Sequence, residues 1–271
     1  LVQKTYSANF PAEFGGGVIN LTTKAIPRET FLTVSSDISV NGETTNQLGY
    51  TYYGSSQDWS GFDNGNRDLK PALAAYLASG QRISAGGVDT QAIASQLVTG
   101  RNAVIQRNRN LPPNGSANIT GGTNFDIGDD ATMGILFNAG YSNKWRTRDT
   151  LQQTASTLDL SQKELDFQRV ITDNRIVVNG LVGFGIEAGD QKVRWTNVFI
   201  RDTLKQARLG VGTRQNLSPT ATLMQQDTAW YERQLVNSQL VGEFKLSPDV
   251  NLSFRVGYAN SKREAPDEFS F

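Results

Sequence analysis

Neither cysteine nor histidine occurs anywhere in this sequence. Without cysteine there is no disulfide framework and no thiolate metal site, an absence that also fits an envelope protein avoiding thiols. Without either residue, the commonest zinc sites, Ser-His-Asp triads and Cys-His dyads are unavailable. The expectation is a non-enzymatic chain with no cofactor and no metal. Excess charge is missing too: 26 Lys plus Arg balance 26 Asp plus Glu, so no bulk positive field draws nucleic acid. No run of ~18 apolar residues occurs, which excludes a transmembrane helix. The opening residues Leu1-Val2-Gln3-Lys4 carry neither an initiator Met nor a signal-peptide core, and read as a cut edge of a longer protein. A hydrophobic content of 38% suits a soluble protein and a β-barrel alike, because lipid-facing and lumen-facing residues alternate in a barrel.

What is present is period-two alternation. Between residues 30 and 40, Leu32, Val34, Ile38 and Val40 share one parity, opposite Thr33, Ser35, Asp37 and Ser39, the mark of a two-faced strand. Residues 116–127 repeat the pattern through Ala117, Ile119, Phe125 and Ile127, and residues 131–146 through Met133, Ile135, Phe137, Ala139, Tyr141 and Trp145. Ile176, Val178, Val182, Phe184 and Ile186 line one face of a segment reaching back to about 164. Residues 192–202 alternate less cleanly, since Val193, Trp195 and Phe199 face one way while Val198 and Ile200 share the side of Lys192 and Arg194. Val236, Leu240, Phe244 and Leu246, then Val250, Leu252, Phe254, Val256 and Tyr258, complete seven strands.

The connections alternate in length. Short turns are expected at Gly128-Asp129-Asp130, Ala188-Gly189-Asp190 and Ser247-Pro248-Asp249, and long polar loops near 147–163 and 207–226. Short turns on one side and long loops on the other describe an outer-membrane barrel. Counting back from the first short turn makes residues 41–115 one very long extracellular loop. Phe125, Phe184 and Phe244 precede short turns and Tyr141, Phe199 and Tyr258 follow them at a distance, which gives two aromatic rows roughly 20–25 Å apart, the spacing of barrel girdles. Within the long loop, residues 69–78 and 90–106 carry helical spacing, with Asp89 or Thr90 as N-cap of the second.

Residues 11–24 read PAEFGGGVINLTTK. This resembles the closing stretch of the plug in TonB-dependent outer-membrane receptors, with Gly15, Gly16 and Gly17 permitting a tight bend before a Val18-Ile19 strand, then Asn20 and a Thr-Lys ending at Lys24. Residues 58–68, DWSGFDNGNRD, resemble a first-loop motif of a subset of these receptors, with Asn64 in place of an Asp. The resemblance implies an all-β fold, in which residues 1–26 end the plug domain and residues 27–271 open a transmembrane barrel of about 22 strands. It further implies active import across the bacterial outer membrane of a scarce small-molecule substrate, an iron siderophore or an oligosaccharide, driven by the TonB-ExbB-ExbD complex through a TonB box outside these residues. The other readings are a passive porin and a secreted all-β carbohydrate-binding protein.

Several residues are candidates for chemistry. Trp59, Phe62, Asp63 and Arg67 are expected to meet substrate at the extracellular mouth, aromatics by stacking on a ring. Asp58, Asp63, Asn64, Asn66 and Asp68 form an oxygen-rich cluster without the EF-hand spacing, weighed as a calcium site against a hydrogen-bonded loop. Arg175, Arg194, Arg255, Lys192 and Lys245 fall on polar parities and are expected to face the lumen, solvated, against the plug or toward an anionic substrate. The glycine run 180–185 lacks the strand-turn-helix context of a dinucleotide loop. Glu164, Asp166, Glu187 and Glu232 show no acid-base pairing.

Overall fold

A strand exposes backbone N–H and C=O groups that only a neighbouring strand can satisfy in bulk, so seven alternating segments in one chain call for a sheet. The computed structural model describes residues 26–82, 88–159 and 161–271, together with β1 (Val2–Gln3) and β2 (Val18–Ile19), which pair antiparallel. Gly15, Gly16, Gly17, Asn20 and Lys24 of the plug-like motif lie outside the described residues. After β3 (Phe31–Ser39) the chain passes through β4 (Gly49–Thr51), helices α1 (Pro71–Ser79), α2 (Thr90–Leu97) and α3 (Gly100–Ala103), and β5 (Gln106–Asn108), which pairs with β4. Then come β6 (Asn114–Ile127), β7 (Ala131–Ala155), β8 (Lys163–Ala188), β9 (Gln191–Arg214), β10 (Ser218–Ser247) and β11 (Val250–Ser270). They form one seven-stranded antiparallel sheet in the order β11-β10-β9-β8-β7-β6-β3. The protein is therefore mostly antiparallel β, and no described helix is long and apolar enough to cross a membrane.

Directly paired residues share a face, so the register sorts the side chains. One face carries Val34 and Ile119, Phe125 and Met133, Ile135, Phe184 and Trp195, Leu240 and Val256, and Phe244 and Leu252. Phe184 stacks on Trp195 at 5.6 Å and Phe244 on Phe254 at 5.9 Å, while Tyr141, Phe199 and Tyr258 lie on the same face nearer its other end. From Val193 to Phe199 and from Ile186 to Val178 this apolar band runs roughly 20–26 Å along the strand. No second layer covers it among the described residues: Leu32, Val34 and Ile38 are 66, 70 and 78% exposed.

The opposite face is polar and glycine-rich. Asn138 donates to Asn118 Oδ1 at 2.8 Å and Thr120 Oγ1 at 2.7 Å and accepts from Asn179 Nδ2 at 3.0 Å, an amide ladder across three strands. At its turn end this face is crossed by the segment that leads into β3. A Cβ on Gly134 would sit 2.6 Å from Ile26 Cα, and one on Gly122 2.6 Å from Pro27 Cγ. Asn124 holds the crossing chain by donating to Pro27 O at 2.8 Å. Gly128 and Gly189 supply the positive φ of their turns, +66° and +56°.

Two expectations about connections are corrected. Most of residues 147–163 and 207–226 are strand, not loop: β7 and β8 stay paired to Ala155 and Lys163, and β9 and β10 to Arg214 and Ser218, leaving only residues 156–162 and 215–217 outside strands. The 30-residue β10 spans roughly 100 Å, against the ~9–11 residues that cross a bilayer. Beyond the apolar band both faces are wet or covered by loop, so the alternation fades while the backbone ladder continues. The second expected helix stops at Leu97, because Val98 is extended, φ −88° and ψ 105°. Gly100 opens a separate single turn, and Gln106–Asn108 pair with β4. The expected cap stands: Asp89 accepts from Ala92 N at 2.8 Å.

Candidate functional site

The long connection between β3 and β6 folds onto the sheet above the apolar band, on the same face. There the parity that carries Trp195 and Phe199 turns to Arg201, Thr203 and Lys205 on β9, and to Glu232, Trp230 and Thr228 on β10. Tandem glycines shape the loop motif: Gly61 and Gly65 adopt φ +80° and +91°, conformations open to glycine without strain. Asp63 Oδ2 accepts from the backbone N–H of Gly65 at 2.8 Å and of Arg67 at 2.9 Å. That turn carries Arg67 back to Asp58, whose carboxylate it grips through both terminal nitrogens at 2.8 and 3.0 Å.

Arg67 is the centre of the cluster. Its side chain is 1% exposed, its guanidinium lies 4.0 Å above the Trp230 ring, and Asp63 Oδ1 accepts a further bond at 2.5 Å. Burial works against the charge on Arg67, yet the bond to Asp58 together with the charges around it, Asp63 included, outweighs burial and holds the pKa above the ordinary arginine value. Lys205 reaches Asp58 Oδ2 at 2.7 Å and also donates to Tyr53 O at 3.2 Å. Tyr52 donates to Ala229 O at 3.0 Å, and burial pushes its hydroxyl well above the usual tyrosine range. Gly61 O accepts from Arg201 Nε at 2.8 Å and Thr203 Oγ1 at 2.7 Å, while the Arg201 guanidinium covers the Phe62 ring at 4.4 Å.

Of the residues expected at the mouth, Asp63 and Arg67 are thus engaged inside the loop, and their charges face one another. Phe62 is exposed at 37% beside Arg201, and Trp59 is exposed at 65%, its ring edge-on to Tyr141 and its carbonyl accepting from the Tyr141 hydroxyl at 2.5 Å. The oxygen-rich cluster is likewise turned on cations and amides: Asp58 on Arg67 and Lys205, Asn66 on Asn102 at 2.7 Å. Among the described residues no group of acidic side chains is placed to hold a metal ion. The motif is a clamp that fastens the loop to the sheet. Lys205, Arg201, Trp230 and Glu232 were not anticipated as its sheet-side half. Their signal was the change from aromatic to charged residues on one parity after Phe199.

The polar face holds a second constellation. Arg175, Arg194, Arg255, Lys192 and Lys245 all lie on it, as expected. Near the short turns the charges pair off, Lys192 with Glu187 at 3.4 Å, Arg194 with Glu243 at 2.5 Å and Lys245 with Asp190 at 3.2 Å. Farther along, level with the clamp, a cleft of about 450 Å³ opens beside Lys144, Arg146, Arg175, Asp202, Tyr231 and Arg233. Asp202 serves Arg175 at 2.7 Å and Arg233 at 3.8 Å. Asp173 is taken by Arg148 at 2.6 Å and by Gln206 at 2.5 Å.

No family model matches the chain, and no curated protein or solved structure matches it at a significant level.

Proposed function

We propose that this chain is part of a TonB-dependent outer-membrane receptor, with residues 1–26 closing the plug and residues 27–271 beginning the barrel. One observation carries the proposal: a seven-stranded antiparallel sheet presents an uncovered apolar band bounded by aromatic rows, backed by a polar, glycine-rich face. In water such a band would be an aggregation surface; against lipid it is the ordinary outer wall of a barrel. A secreted carbohydrate-binding protein would pack the same residues in a core, and no packing layer lies over them among the described residues.

On this reading the edges at β3 and β11 continue into further strands, since unpaired backbone in hydrocarbon costs several kcal/mol per group. Ile26 and Pro27 crossing the polar face favour a plugged barrel over an open porin, because the end of the plug-like stretch then lies on the lumen side. The receptor would import a small-molecule substrate with energy from TonB-ExbB-ExbD, and would carry out no bond chemistry itself. The deciding experiment compares substrate uptake by the intact receptor in cells with and without TonB. Uptake confined to cells with TonB is the expected result; equal uptake would identify a porin.

A further inference from the structure

The polar face is electrically uneven, although the chain as a whole is neutral. Level with the cleft, the register places Lys144, Arg146, Arg148, Arg175, Arg208, Arg233 and Arg263 on it, against Asp173, Asp202, Asp227 and Glu268. Within this belt two like-charged pairs stand directly opposite one another across the strands: Lys144 faces Arg175, and Arg233 faces Arg263. Directly opposed like charges destabilise a sheet, and each carboxylate is already engaged: Asp202 by Arg175 and Arg233, Asp173 by Arg148 and Gln206, Asp227 by Arg169, and Glu268 by the Tyr231 hydroxyl. Among the described residues, Lys144, Arg146 and Arg263 have no ion-pair partner.

We propose that this belt is the anion-binding part of the import path, and that the substrate carries at least one oxyanion, a carboxylate or a phosphate. Seven cations stand against four carboxylates, an excess of three, and arginine forks match the paired oxygens of either group. Tyr231 adds a ring to the cleft wall, its hydroxyl donating to Glu268 Oε1 at 3.0 Å. The inference rests on the transport reading and narrows it: an anionic chelate fits the belt, and a neutral oligosaccharide does not. An occupying anion also removes the repulsion between the opposed cations, which gives the empty belt a reason to hold it.

The test is titration calorimetry of the intact receptor in detergent with citrate and with inorganic pyrophosphate, maltotriose serving as the neutral comparison. Binding of either anion, weakened by salt and roughly tenfold or more by the double substitution Arg233→Gln and Arg263→Gln, is the expected result. The tighter of the two anions names the group recognised. Arg233→Lys should retain most of the affinity, and Lys245→Gln, in the paired region, should leave it unchanged. Because the double substitution relieves repulsion, its thermal stability should match or exceed that of the parent, which separates lost binding from lost folding. If neither anion binds, or the double substitution leaves affinity intact, the proposal is overturned, as it would be were plug carboxylates to occupy these cations. TonB-driven uptake of maltotriose without anion binding would sink the belt and leave the transporter standing. Anion binding with TonB-independent uptake would do the reverse.

Discussion

At the scale of single residues, the loop clamp depends on a buried charge set that is balanced only when complete. Arg67→Met would leave Asp58 with Lys205 alone and take from Asp63 its cationic partner, and losing one partner from a buried ionic set costs about 3–5 kcal/mol. The expected outcome is a loop that opens while the sheet stays folded, seen as rapid trypsin cutting after Arg82 and Arg101. Arg67→Lys should lie between, since it keeps charge but loses the fork on Asp58 and the stacking on Trp230. A second residue-scale prediction concerns close approach. Gly134→Val would drive side-chain atoms into the Ile26 backbone and destabilise by about 1–3 kcal/mol. Gly180→Ala, whose nearest neighbour is Asn138 O at 3.9 Å, should shift the melting temperature far less.

At the scale of elements, the strands have a half beside the proposed membrane and a half above it. Ala139→Pro removes a ladder bond within the apolar band, where no water can replace it. Gln152→Pro removes one in the exposed extension. Outer-membrane assembly, followed by folded-barrel yield, should fail for the first and be only reduced for the second. The same division explains what was legible in the sequence. All seven strands and the three short turns could be read, because one face of each strand is apolar along the band. The upper ends could not: from Thr147 to Thr154 only Leu151 is apolar, so β-pairing leaves no period to detect. The clamp was half legible, its motif visible but its partners on β9 and β10 separated from it by more than a hundred residues. The polar-face cations were legible by parity alone, whereas the opposed pairs needed the register.

For the whole molecule, two tryptophans report which surface meets lipid. Trp195 lies in the apolar band at 46% exposure, and Trp230 is fully buried under the clamp. In the receptor reconstituted with brominated lipid, a variant retaining only Trp195 should be strongly quenched, and one retaining only Trp230 should keep its emission. Equal quenching, or none at Trp195, would remove the membrane from the account of the band.

The first loop is fastened on the same face as the greasy band, directly above it. On the proposed reading, a hull with such a collar has a fixed waterline: it can sink until the collar meets the headgroups and no deeper. Loosening the clamp would then change how deeply the wall rides in the leaflet before it changed anything in the channel.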